Sequence, residues 1–286
     1  MKGTIQMEQL QAILQRLGME HGFKLTPKEY EEFQVNSLND TIGDENEKDG
    51  YDCPKCKNKG WIAKLVDKGN DQYGHCIGDC ECVPIRKSIM RMKRSGLEDV
   101  IKQKTFAKFE ATEPWQNVVK QAAVEYAKNP VGWFFIGGQS GCGKTHICTA
   151  ICRELIWQGM ETYYMKWRDD IAKLKGLSLD AEEREAMINK YKNAKVLYID
   201  DLFKTGRNPD GTEPKPTAAE INIAFEIINH RYCKPDLLTI ISSELSINEL
   251  LDIDEATGGR ICERAKVTNI AKDRSRNYRT RNATTL

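Results

Sequence analysis

No stretch of the 286-residue sequence approaches the roughly 20 consecutive apolar residues needed to cross a bilayer. The first residues also lack the charged-then-apolar pattern of a secretory leader. The expectation is therefore a cytoplasmic protein with no membrane partner. A global electrostatic field is missing too, because 43 Lys and Arg stand against 42 Asp and Glu for a net charge of +1. Any contact with nucleic acid must then come from local patches. Nor are the ten cysteines spread like a disulfide framework. Half of them lie between Cys53 and Cys82, which suits metal binding there and ordinary buried thiols elsewhere. What remains is a chain long enough for one large core and a small accessory domain.

What is present is organised around Gly138 to Thr145, Gly-Gln-Ser-Gly-Cys-Gly-Lys-Thr, which fits the pattern G-x-x-x-x-G-K-[ST]. The apolar run Val131 to Ile136 before it reads as a buried strand. The repeat of Ile147, Ile151 and Leu155, up to a stop at Gly159, predicts a helix after it. Glycines let the backbone curl so that N–H groups point inward, and the helix adds its positive end, which together make a cradle for polyphosphate. Gly138, Gln139, Ser140, Gly141, Cys142 and Gly143 form that cradle, with His146 next to it. Lys144 is expected to reach the β- and γ-phosphates of ATP or ADP, and the Thr145 hydroxyl to ligate Mg²⁺.

Beyond that helix the sequence alternates strand and helix, which implies a parallel sheet with crossovers. Glu161 to Lys166 reads as a strand and Asp180 to Asn193 as a charged helix. Lys195 to Asp201 is an apolar strand ending in two carboxylates, where such a fold needs an acid for the metal. Asp200 is the expected Mg²⁺ residue, and Asp201 the residue that orients the attacking water. Leu202 to Pro216, with Lys204 and Arg207, reads as a mobile polar loop. Thr217 to Glu220 is a capping box opening a helix whose Ile221, Phe225 and Ile228 are expected to face the core. Leu237 to Glu244 is a buried strand with a polar end, expected beside the γ-phosphate. From Arg260 onward the chain is strongly basic, which suits phosphate contact.

The amino-terminal third is different in kind. Leu10, Ile13, Leu14 and Leu17 share a helical face, and Thr26 to Glu29 is a capping box ahead of a second helix with Tyr30 and Phe33. These faces must pack on the body or dock on a partner. Asp44 to Gly50 reads as an acidic linker. Cys53-Pro-Lys-Cys56 supplies two thiolates from one turn, as tetrahedral Zn²⁺ requires. Cys80 and Cys82 are the preferred second pair, with Cys76 or His75 as alternatives. Nothing nearby supplies an activated water and a positioned acid, so the site reads as structural. Pro84 to Arg94 reads as a basic helix with a solvated face.

Taken in order, several segments resemble the phage and bacterial helicase loaders of the DnaC/DnaI type, a branch of the AAA+ ATPases. They are the cysteine module, Ser95-Gly-Leu97, Thr105-Phe-x-x-Phe109, the phosphate loop, Ile199 to Leu202, Glu226 to Tyr232, Ile241 to Glu244, Gly259-Arg260 and Asn277 to Arg279. The resemblance implies a five-stranded parallel sheet flanked by helices, preceded by a small zinc-binding and helical domain. It also implies a ring or spiral of subunits with ATP at each interface. Carried onto matching positions, it makes Arg260 an arginine finger acting on a neighbouring subunit and Arg279 a sensor in cis. Ser242, Ser243 and Glu244 become the first sensor, with Ser243 and Glu244 the candidate catalytic members. Two departures stand out, because Asp201 is shorter than the usual Glu and Glu244 stands where a neutral Asn is common. Slow hydrolysis is expected.

The expected organisation is a helical segment and linker over 1–50, a zinc module over 51–83, a basic linker helix over 84–112 and the ATPase domain over 113–286. The expected function is ATP-dependent loading of a replicative helicase hexamer, gripped by the amino-terminal module, onto single-stranded DNA. A transposition helper ATPase of the IstB type and a zinc-bearing adaptor without turnover are the alternatives.

Overall fold

The computed structural model describes residues 25–93, 101, 103–177, 180–206 and 214–280. The expected first helix around Leu10 to Leu17, as well as Arg94, Ser95 to Leu97 and Arg207, lie outside them. The chain divides into two compact units, one of residues up to Asn46 with Asp52–Cys80, the other of Glu47–Tyr51 with the chain from Glu81 on.

The first unit is a helix and a hairpin. Helix α1 (Pro27–Asp40) starts where expected: Thr26 caps it, Glu29 closes the capping box and Pro27 opens the first turn. No residue of α1 is buried, and Phe33 is 41% exposed. Polar contacts hold the helix instead, since the Asn39 amide bonds both the Ala63 carbonyl at 3.0 Å and the Ala63 N–H at 2.9 Å. The partner strand β1 (Trp61–Gly69) pairs antiparallel with β2 (Gln72–Asp79). The acidic run expected to be a linker contains a short helix, α2 (Glu45–Asp49).

The second unit is built on five parallel strands in the order β4-β5-β6-β3-β7. They are β3 (Trp133–Gly137), β4 (Thr162–Lys166), β5 (Val196–Asp200), β6 (Leu238–Ser243) and β7 (Ala265–Asn269). Strands covered on both faces need apolar residues at every position, and β3, β5 and β6 are buried throughout. Alternation sends Phe134 and Ile136 to one face and Trp133 and Phe135 to the other. On the first face lie α3 (Cys82–Met92), α4 (Pro114–Lys128) and α5 (Lys144–Trp157). On the second lie α6 (Trp167–Gly176), α7 (Ala181–Asn193), α8 (Ala218–Tyr232), α9 (Ile247–Ile253) and α10 (Glu255–Arg264). The phosphate loop leaves the end of β3, between β6 and β7, where a doubly wound sheet opens a crevice for ligands.

Three expectations about packing are corrected. Helix α3 does not present all its basic residues to solvent: Arg86 is buried, bonds both carboxylate oxygens of buried Asp49 at 2.7 Å, and lies beside the Tyr51 ring. Arg91 of the same helix pairs with Glu161 at 2.5 Å. In α8 the most buried apolar residues are Ile223, Ala224, Ile227 and Ile228, so the core stripe is rotated from the expected one and Phe225 is only half-buried. Leu202 and Phe203, expected in a polar loop, are buried against the second face. Among the described residues no helix is long and apolar enough to cross a membrane.

Candidate functional site

Gly143, the residue before α5, has φ of 92°, a left-handed conformation in which a side chain is strained, and it offers no side-chain cap. The first N–H groups of α5 are therefore left for an anion. Gly141 has φ of 80°, and a Cβ there would lie 1.9 Å from Asn277 Oδ1. The Lys144 side chain is buried and its Nζ donates to the Gln139 carbonyl at 2.8 Å, which holds the ammonium inside the loop. The Cys142 thiol donates to the same carbonyl, its Sγ 2.9 Å away, and burial pushes its pKa up. His146 faces the wall of the site: burial pushes its pKa down, its Nε2 lies 2.9 Å from the Thr105 carbonyl, and its ring meets Phe109 edge-on.

The strand ends facing this loop carry the acids. Asp200 is buried and accepts from four hydroxyls: Thr145 at 3.3 Å, Tyr198 and Ser242 at 2.6 Å each, and Tyr164 at 2.9 Å. Burial and the Asp200 charge drive the phenol of Tyr198 well above its ordinary pKa. Thr145 and Asp200 thus set hard oxygen donors side by side, the chemistry Mg²⁺ takes. Asp201 follows with φ of 58°, its N–H bonded to Ser242 Oγ at 3.0 Å. Its carboxylate meets Lys204 Nζ at 2.7 Å, and the same ammonium reaches Glu244 at 2.8 Å. Burial alone would lower the Lys204 pKa, but its bonds to the two acids raise it. Burial likewise pushes the Glu244 pKa up, and the Lys204 and Lys144 cations outweigh it and hold it low. Ser243 is buried, donates to the Leu202 carbonyl at 2.8 Å and accepts from the Leu245 N–H at 3.1 Å, so its hydroxyl ties two loops.

The basic tail returns to the phosphate loop. Gln139 exchanges two bonds with the Asp273 backbone, the Tyr278 N–H donates to the Gly141 carbonyl at 3.0 Å, and Arg279 reaches Ser140 Oγ at 3.3 Å. Loop, strand ends and tail enclose a cavity of about 360 Å³, lined among others by Lys144, Thr145, Asp201, Lys204, Glu244 and Arg279. Lys104 and Lys108 also line it and were not singled out from sequence, although both flank Thr105. Their signal lay in the Lys-Thr-Phe-Ala-Lys spacing, which becomes legible only once the segment is folded over the loop.

Arg260 is not among the residues lining that cavity. It lies on α10, with Nε bonded to Asn229 Oδ1 at 2.9 Å and Nη1 to the Ala256 carbonyl at 2.8 Å. Its guanidinium stacks over Phe225 at 4.9 Å and Tyr232 at 5.5 Å.

Cys53, Cys56, Cys80 and Cys82 are all buried, with ligand atoms within 4.8 Å of one another. Four thiolates on tetrahedral Zn²⁺, with bonds of about 2.3 Å, have sulfurs about 3.8 Å apart. Cys53 Sγ and Cys80 Sγ are 3.8 Å apart, so the cluster fits zinc. N–H groups also face the sulfurs, from Gly60 to Cys56 at 3.3 Å and from Arg86 to Cys82 at 3.4 Å, which suits thiolates. Of the two alternative ligands, His75 bonds Glu31 at 3.0 Å and Cys76 is exposed.

A family model described as IstB-like ATP binding protein matches residues 81–283. The phage-like element PBSX protein XkdC of Bacillus subtilis strain 168 is 33% identical over 77% of this chain and 81% of its own. YqaM of the same strain is 28% identical over 87% of this chain and 91% of its own. A crystal structure of the DnaC helicase loader is 22% identical, with a TM-score of 0.49, over 60% of this chain and 98% of that one.

Proposed function

The chain belongs to the family of IstB-like ATP binding proteins and is a P-loop ATPase of the AAA+ type, and from that premise we propose that it loads a replicative helicase onto single-stranded DNA. ATP binding assembles subunits and holds the helicase, and hydrolysis releases it. The observation that carries this reading is the separation of Arg260 from the cavity of its own chain. A triphosphate site equipped with metal ligands and a water-side acid, but with the Gly259-Arg260 arginine turned elsewhere, suits hydrolysis that depends on a neighbour.

In this reading Lys144 binds the β- and γ-phosphates, and Thr145 and Asp200 hold Mg²⁺. The metal, when bound, offsets charge on the phosphate oxygens. Asp201 orients the attacking water, Arg279 contacts phosphate in cis, and Arg260 of one subunit reaches the site of the next. Ser242, one of the three residues expected to form the first sensor, bonds both the Asp200 carboxylate and the Asp201 N–H and so positions the two acids together. Cys53, Cys56, Cys80 and Cys82 hold a structural zinc, and the unit they brace grips the helicase ring. Exposed Lys272 and Arg274 supply part of a path for single-stranded DNA, which needs backbone charge and no base edges. The likeness to a protein of a phage-like element favours a phage setting.

The family model itself favours a second reading, a transposition helper of the IstB type, in which the partner is a transposase. Size-exclusion chromatography with light scattering separates the two. Full-length protein, checked for one zinc per chain, is mixed with a replicative helicase hexamer, with and without ATP, and Arg260→Ala serves as control. A discrete complex that forms with ATP and weakens in Arg260→Ala is the expected result. No complex under any nucleotide condition, with a transposase captured instead, overturns the loader reading.

A further inference from the structure

The three carboxylates at the phosphate end of the sheet are unequal. Asp200 accepts from four hydroxyls, whereas Asp201 and Glu244 both bond one ammonium, that of Lys204, at 2.7 and 2.8 Å. The backbone goes to some length to make that arrangement. Asp201 and Phe203 both take left-handed conformations, φ of 58° and 60°, which residues with a side chain adopt at a cost and mainly where structure around them enforces it. Leu202 and Phe203 anchor the turn in the core, the Leu202 N–H bonds the Ser242 carbonyl at 2.8 Å, and the Lys204 N–H returns to the Asp201 carbonyl at 2.9 Å. The turn therefore sends Lys204 back over the residue three before it, toward Glu244 forty positions on.

All three side chains line the cavity that also holds Lys144 and Arg279. A triphosphate entering there carries its terminal charge toward the end of β5 and β6. Two uncompensated carboxylates would repel that charge, and the repulsion is strong in a half-buried site. A diphosphate stops one group short and feels less of it.

Resting on the ATPase reading of this cavity, we propose that Lys204 is a positioning residue that fixes Asp201 and Glu244 as one charge-balanced group facing the terminal phosphate, and so lets the site favour a triphosphate over a diphosphate. The acidic Glu244 is then no anomaly beside a short Asp201. Lys204 is the residue that makes both tolerable.

The test is binding as well as turnover, on the full chain. Titration calorimetry with ADP and with a non-hydrolysable ATP analogue compares wild type, Lys204→Met, Lys204→Arg, Glu244→Gln and the double variant Lys204→Met/Glu244→Gln, with kcat and KM for ATP measured alongside. Lys204→Met is expected to weaken the ATP analogue about tenfold and ADP less than about twofold, with KM rising in step with the analogue. Lys204→Arg should stay within about threefold of wild type, and the double variant should regain most of the lost affinity because one negative charge has left with the positive one. Equal losses for both nucleotides, no loss at all, or a double variant no better than Lys204→Met would each overturn the proposal. If Lys204→Met does not fold, Glu244→Gln decides alone: it should tighten the analogue relative to ADP, and an unchanged ratio overturns the proposal. Lys144→Ala separates the two levels of argument. Wild type that binds neither nucleotide, or binds both as well without Lys144 as with it, would overturn the reading of the cavity. Wild type that needs Lys144 but ignores Lys204 would overturn only the present inference.

Discussion

The phosphate end of the sheet and the face formed by α8 and α10 use polar side chains in opposite ways. At the phosphate end the acids have their partners within the chain: Asp200 accepts four hydroxyls, and Lys204 is shared by Asp201 and Glu244. On the other face Arg260 is held by one amide, one carbonyl and two rings, and Arg264 keeps buried Nε and Nη2 atoms with no bond. A guanidinium has five donors, so this face carries unspent capacity that the acids of the phosphate end do not. The difference is that the carboxylates of the phosphate end are self-sufficient, whereas the arginine face leaves donor capacity unused. Arg231 shows that this is no property of arginines on α8, because it is fully buried and spends its donors on Thr239 and the carbonyls of Tyr191, Lys192, Ala194 and Leu238.

Substitutions can break that contrast. Arg260→Ala should lower ATP turnover at assembling concentrations by about 10³, as loss of a trans arginine does, with nucleotide affinity within about twofold of wild type. A fall in affinity as large as the fall in turnover would place Arg260 with the self-sufficient group and end the contrast. Arg231→Met should cost about 3 kcal/mol by stripping the buried carbonyls of their donor, seen as a melting temperature lower by roughly 10 °C. Turnover per folded molecule should change little, which sharpens the division between an arginine that builds and one that acts. Thr217→Ala removes the side-chain cap of α8, the helix that carries Arg231 and Asn229. It should cost about 1 kcal/mol and move melting by a few degrees, with no selective loss of turnover.

Much of this was legible in the sequence where the cause is local. The phosphate loop, the strand ending at Asp200 and the caps at Thr26 and Thr217 rest on residues within a few positions of one another. What escaped is long-range. Arg86 reads as a solvated basic residue until Asp49, 37 positions earlier, is folded against it. Lys204 reads as a loop lysine until Glu244 arrives from the next strand. Strand β7 escaped for another reason: it is an edge strand of half-buried, mixed residues, Ala-Lys-Val-Thr-Asn, with no apolar run to announce it. In α8 apolar residues occupy several neighbouring positions, so periodicity alone left the core stripe free to rotate by one residue.

The clasp between Gln139 and Asp273 joins residues 134 positions apart. A ribosome that has just finished the phosphate loop must therefore add well over a hundred further residues before the groups that close around it exist. Until then β3 has no β7 beside it, and Gly141 has no tail to bond. The closing of the tail over the phosphate loop is accordingly a late event in synthesis, and a chain interrupted after β6 would carry the whole phosphate-loop motif without the residues that clasp it.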